Sequence, residues 1–102
     1  MKKIMNGKMY DTDTADLICA NFFGETADPV WYTEALFHTK KGAYFLYCLG
    51  SASSPYGNQI GENSWEPGEI LMAYTEDEAK SFVEKYGTTD EYIEAFGEPE
   101  AA

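Results

Sequence analysis

The sequence predicts an α+β fold: a small antiparallel sheet packed against two C-terminal helices, with an N-terminal β-hairpin and a short helix beside it. Three observations lead there. Thr75-Glu76-Asp77-Glu78 and Thr88-Thr89-Asp90-Glu91 are capping boxes, each followed by apolar residues at helical spacing. Residues 31–49 hold two strand-length stretches joined by Lys40-Lys41-Gly42. The 102 residues are 44% apolar and 16% aromatic, which suits one packed domain and is too aromatic for a disordered chain.

Each element has its own signal. Asn6-Gly7 tolerates the positive φ angles of a two-residue turn, so residues 3–10 read as a hairpin. Asp11-Thr12-Asp13-Thr14 offers several caps, which predicts a short helix over 15–20, ended by Gly24. Asp28-Pro29 is a break. Residues 31–39 and 43–49 read as strands. The second alternates Ala43, Phe45, Tyr47 and Leu49 with Tyr44, Leu46 and Cys48, apolar on both faces, so it belongs in the middle of the sheet. Residues 50–68 are rich in Ser, Gly, Asn and Pro and read as one long loop, with Tyr56, Ile60 and Trp65 as anchors. Residues 69–74 are a third main strand. Ala79, Phe82, Val83 and Tyr86 form the apolar face of the first C-terminal helix, and Tyr92, Ile93 and Phe96 that of the second, closed by Gly87 and Gly97. Residues 1–97 are expected to be a single domain and 98–102 a flexible acidic tail.

Charge is the feature that bears on function. There are 18 acids, 7 lysines and no arginine, a net charge of −11. Residues 1–41 hold 6 acids and 5 lysines, whereas residues 42–102 hold 12 acids against Lys80 and Lys85 alone. Such a balance repels nucleic acid and anionic membranes and favours a basic protein as partner. No apolar run approaches the roughly 20 residues of a membrane span. Lys2-Lys3 leads into Ile4-Met5-Asn6-Gly7, not into the apolar region of a secretory signal, so the cytoplasm is the expected compartment. Cys19 and Cys48 lie far apart with no CxxC, and read as reduced, buried thiols.

No catalytic motif emerges, and no metal or cofactor is expected. Asp11, Asp13 and Asp16 lack the glycine and terminal glutamate of a calcium loop and are better read as helix caps. His38 is the sole histidine. The serines at 51, 53 and 54 sit in no nucleophile elbow, and Cys48 faces His38 only if the two strands bring them level. Glycines 50, 57, 61 and 68 are too scattered for a phosphate cradle, and residues 50–68 contain no lysine.

The acids remain as the candidate site. Glu76, Asp77 and Glu84 point away from the apolar face of the first C-terminal helix, and Asp90, Glu91 and Glu94 from that of the second. Glu62, Glu66 and Glu69 come from the long loop and the strand after it. First-turn acids suit the helix dipole, and Glu76–Lys80 and Lys80–Glu84 are i, i+4 pairs, so part of the set has a purely structural reading. Carboxylates spaced along helices and loop also imitate the phosphates of DNA, with Tyr56, Trp65 and Tyr92 as aromatic anchors beside them.

The opening residues 2–15, with Asn6-Gly7-Lys8-Met9-Tyr10-Asp11-Thr12, resemble the start of short proteins encoded by phages and integrated elements of Gram-positive bacteria. So do Lys41-Gly42-Ala43-Tyr44-Phe45-Leu46-Tyr47, Thr75-Glu76-Asp77-Glu78-Ala79 and the ending Asp90-Glu91-Tyr92-Ile93-Glu94-Ala95-Phe96-Gly97. Cys48-Leu49-Gly50-Ser51-Ala52-Ser53-Ser54 departs from the group, which usually carries a charged, glycine-rich segment there. Small acidic proteins of such elements include anti-CRISPR and anti-restriction inhibitors, several of them DNA mimics. The resemblance therefore implies a non-enzymatic inhibitor in the bacterial cytoplasm, its acidic surface blocking the basic nucleic-acid-binding groove of a CRISPR effector. The rival expectations are an accessory interaction module using the aromatic loop 50–68, a small enzyme using paired carboxylates, and self-association through apolar surface left uncovered by a small core.

Overall fold

In the computed structural model, which describes residues 1–102, the chain begins as expected. Asn6 and Gly7 both take positive φ, 53° and 74°, and turn β1 (Lys2–Met5) into β2 (Lys8–Asp11). The main sheet has four antiparallel strands, β3 (Asp16–Phe23), β4 (Tyr32–His38), β5 (Tyr44–Gly50) and β8 (Gly68–Tyr74), in the order β3-β4-β5-β8. As its two apolar faces require, β5 lies inside the sheet, with Phe45, Leu46 and Cys48 all buried.

Two sequence expectations are overturned. The short helix over 15–20 is instead the strand β3. The aspartate-rich segment does start a helical turn: Ala15 N–H donates to the Asp11 carbonyl at 3.2 Å and Asp13 N–H to Asp11 Oδ1 at 2.9 Å. The turn is not continued, because as a strand this segment pairs along all of β4 and buries Cys19 beside Leu36. A helix there would leave the β4 edge unpaired. The loop 50–68 also contains a second small hairpin, β6 (Asn58–Gly61) with β7 (Ser64–Glu66). Neither Glu62 nor Asn63 at its turn takes a positive φ, so the usual sequence signature of a hairpin is missing.

The two faces of the sheet are covered by different elements. Helices α1 (Glu76–Tyr86) and α2 (Thr89–Phe96) lie on one face, where Ala79, Phe82 and Val83 close over Cys19, Leu36, Leu46 and Cys48. Both capping boxes form: Thr75 Oγ1 accepts from Glu78 N–H at 3.1 Å, and Thr88 Oγ1 from Glu91 N–H at 3.1 Å. On the other face the β1–β2 hairpin sets Tyr10 edge-on to Phe45, with ring centroids 5.6 Å apart, beside Leu71 and Phe37. That cover stops short of the outer strand, so Leu17, level with Phe37 and Phe45, and Phe22 of β3 stay exposed.

The radius of gyration is 15.1 Å, against about 13 Å for a typical domain of this length, and the longest dimension is 50 Å. The β6–β7 hairpin accounts for part of this, since every one of its strand residues is exposed. No helix is long and apolar enough to cross a membrane.

Candidate partner-binding surface

The capped helices hold the first group of acids. Glu76, Asp77 and Glu84 on α1 and Asp90 and Glu94 on α2 are exposed, while Glu91 is half-buried. Only Glu76 is ion-paired, with Lys80 Nζ at 3.8 Å. Glu91 also has a structural task, since its Oε1 accepts from Thr88 N–H at 2.8 Å in the capping box. Glu91 and Glu94 face Asp16 and His38 across a cleft of about 470 Å³ between α2 and the ends of β3 and β4. His38 lies stacked on Tyr44 at 4.5 Å, and Asp16 is bound by Lys40 at 3.0 Å. The cleft therefore holds acids without gathering them into a ligand set.

The β6–β7 hairpin and the start of β8 hold the second group. Glu66 accepts from Asn58 Nδ2 at 2.9 Å, Glu69 accepts from the Tyr47 hydroxyl, and the Glu62 side chain is free in solvent. Glu66 and Glu69 line an open groove of about 740 Å³ at the hairpin base, with Leu49, Pro55, Tyr56 and Asn58. Ile60 and Trp65 stand exposed on the hairpin itself. The Tyr47 hydroxyl is pushed up to about 12 by burial and by its bond to Glu69, so it stays protonated as that donor.

The topology keeps the two groups apart. The hairpin leaves the sheet at the Gly50–Gly68 pair, and α1 starts beyond the Tyr44–Tyr74 pair. Those pairs lie at opposite ends of strands seven residues long, about 20 Å in extent. Glu62, Glu66 and Glu69 thus surround one end of the sheet, and Glu76 and Asp77 mark the other.

Tyr56 anchors its own loop. It packs on the core edge-on to Tyr32, with ring centroids 5.7 Å apart, and donates its hydroxyl to Glu34 Oε2 while also lining the groove. Asn21 Nδ2 donates to the other Glu34 oxygen at 3.0 Å. Burial, then the bond to Glu34, holds the Tyr56 phenol far above its ordinary range. Burial likewise pushes the Cys48 thiol, next to it, up to about 11. Glu34 was not singled out in the sequence; the available signal was a lone acid between apolar neighbours on the helix-facing side of a central strand.

The remaining catalytic candidates have structural roles. Ser51 Oγ donates to the Pro29 carbonyl at 3.0 Å and accepts from Trp31 N–H at 3.2 Å, while Ser54 Oγ donates to the Ser51 carbonyl at 2.7 Å. These bonds fasten the start of the long segment to the β3–β4 connection. Gly50 is required for the same closure, because a Cβ there would sit 2.2 Å from Ser54 Oγ. His38 pairs with Tyr44 and Cys48 with Glu34, four residues apart along β4, so His38 and Cys48 are about 13 Å from each other. Both cysteines are free and buried.

Fold and surface together define a small acidic α+β domain with two separated carboxylate groups and one protruding hairpin. No family model matches the chain, and no curated protein or solved structure does.

Proposed function

We propose that this chain is a non-enzymatic inhibitor from a phage or mobile element, acting in the cytoplasm of its bacterial host. Its acids occupy the basic nucleic-acid-binding groove of a partner protein, and a CRISPR effector is the partner its sequence resemblance favours. The observation that carries this reading is uncompensated charge: of 18 carboxylate side chains, only Asp16 and Glu76 have an ion-pair partner. The remainder project a negative field that steers association with a basic surface. Density qualifies the mimicry. A duplex carries one charge per about 1.7 Å, or about 30 over a length on which this chain carries its formal −11. Charge therefore supplies attraction and rate, and apolar anchors must supply the lasting contact.

The test is retention of purified CRISPR effectors on the immobilised chain at low and high salt, with duplex DNA as competitor. Retention lost at high salt and displaced by DNA is expected. Neutralising Glu76, Asp77, Asp90 and Glu94 to their amides should abolish it. Retention unaffected by both salt and these substitutions would rule the charge reading out.

One observation favours a second reading, an accessory interaction module working through residues 50–68. The β6–β7 hairpin is exposed throughout and carries Trp65 and Ile60 outward. On that reading Trp65→Ala removes binding and the helix-acid substitutions leave it intact.

A further inference from the structure

We infer that β3 is a self-pairing edge, through which two copies of this chain join their sheets into one of eight strands. The main sheet has two edges, and they are treated differently. At β8, Lys3 Nζ reaches the Leu71 carbonyl at 3.4 Å, Pro67 precedes the strand and Glu69 lies within it. Lysine, proline and charge are the devices that keep an edge from pairing. Beyond Asp16 at its start, β3 has none of them. From Leu17 to Phe23 the strand has no charged residue and no proline. Its sole strand partner is β4, and no turn, loop or side chain of the chain bonds to its backbone. The N–H and C=O groups on its outer side are therefore open to another strand.

The occupant follows from symmetry and charge. The one protection on β3 is a bulge between Leu17 and Cys19, which leaves residues 19–23 as the regular segment. Two such segments, antiparallel and centred on Asn21, put Phe22 of each copy across from Ala20 of the other. Phe22 is 72% exposed in the single chain, so this pairing covers it on the open face of the sheet. Leu17 to Phe23 carries no charge, so two copies of net charge −11 meet along this edge without close like-charge contacts between the paired segments. The antiparallel arrangement also sends the two Asp16–Glu91–Glu94 clefts to opposite ends of the joined sheet. A parallel pairing would set the clefts side by side. The contact is isologous, so it closes at two copies.

The salt dependence separates this contact from binding to a basic protein. Screening weakens attraction to a basic groove but relieves repulsion between like-charged copies, so self-association strengthens as salt rises. Sedimentation equilibrium of the full chain over a concentration series, at low and high salt, is the measurement. A species of twice the 11.4 kDa chain mass is expected, tighter at high salt. Phe22→Lys should weaken it at least about tenfold, since each dimer loses two buried rings and gains two like charges near the axis. Ile4→Lys changes a comparably exposed residue, 68%, on the β1–β2 hairpin and adds the same charge. It should leave the dimer intact. A chain that is monomeric across the series, or a dimer that responds equally to both substitutions or to Ile4→Lys alone, overturns the proposal. Circular dichroism and melting temperature confirm that each variant is folded.

Discussion

Glu34 is one of the residues that hold the long 50–68 segment, beside Ser51 and Ser54. Its carboxylate takes the Tyr56 hydroxyl on one oxygen and Asn21 Nδ2 on the other, which ties that segment to β3 through β4. Tyr56→Phe keeps the ring packing but deprives a half-buried carboxylate of one donor. A loss of roughly 1–2 kcal/mol is expected from urea unfolding, at the lower end of charged hydrogen bonds because the site is only part-buried. An unchanged midpoint would show that water replaces the phenol. The thiols bring a pH dependence. Burial pushes Cys19 and Cys48 from an ordinary 9.0 to about 11, aided at Cys19 by Glu91 and at Cys48 by Glu34. A raised native pKa means that the folded state holds the proton more tightly than the unfolded one. The stability from this is complete below pH 9 and is lost as pH climbs from about 9 to about 11. Urea midpoints should fall over that window, and Cys48→Ala should flatten the fall. Below it, a thiol reagent should find no reactive cysteine until denaturant is added, since thiolate and access are both absent.

At the scale of elements, the capped helices differ in what they hold down. α1 buries Ala79, Phe82 and Val83, whereas α2 has no fully buried residue. Removing the cap hydroxyl in Thr75→Ala should cost about 1 kcal/mol in global stability. The same change at Thr88 should mostly fray α2, visible as faster amide exchange there with a smaller shift in midpoint. The β6–β7 hairpin should exchange fastest among the strands, because an isolated two-stranded ribbon is marginal in water and every strand residue of this one is exposed. These contrasts track what was legible in the sequence. Both helices, the Asn6-Gly7 turn and the central position of β5 were readable, because caps, turn residues and two-sided apolar patterns are local. β3 was not. Asp11 to Thr14 starts a real helical turn, and Leu17 to Ala20 suits a helix as well as a strand, so the outcome rests on pairing with β4, a contact distant in sequence. The β6–β7 hairpin was hidden because its Glu62-Asn63 turn lacks positive φ. The candidate acids were readable as residue types, but their division between two ends of the sheet follows only from where the hairpin leaves β5 and where α1 leaves β8. Tyr56 was readable as an anchor of its own loop, but not its bond to Glu34, because an aromatic in a polar segment looks the same whatever it packs on.

For the whole molecule, the decisive quantity is how little of its charge is used internally. The two ion pairs are Lys40–Asp16, both side chains well exposed, and Lys80–Glu76 at 3.8 Å. Exposed pairs of this kind contribute little to stability. The other carboxylates repel one another in the folded chain more than in the longer unfolded one, so added salt should stabilise the fold. Each close like-charge contact costs a few tenths of a kcal/mol, which puts the total gain on the order of 1 kcal/mol between low and high salt. The check is urea unfolding in sodium chloride, with choline chloride as a control against specific cation binding. A fall in stability with salt would mean that the two pairs outweigh the repulsion. One variable then tests three properties in a defined pattern: fold stability and the proposed self-pairing along β3 should rise with salt, while the proposed capture by a basic groove should fall. The pattern follows from the net charge of −11, since one negative field opposes compaction, opposes a second copy and attracts a cationic surface. If capture also persisted at high salt, the exposed Trp65 and Ile60 on β6–β7, not the acids, would have to hold the partner.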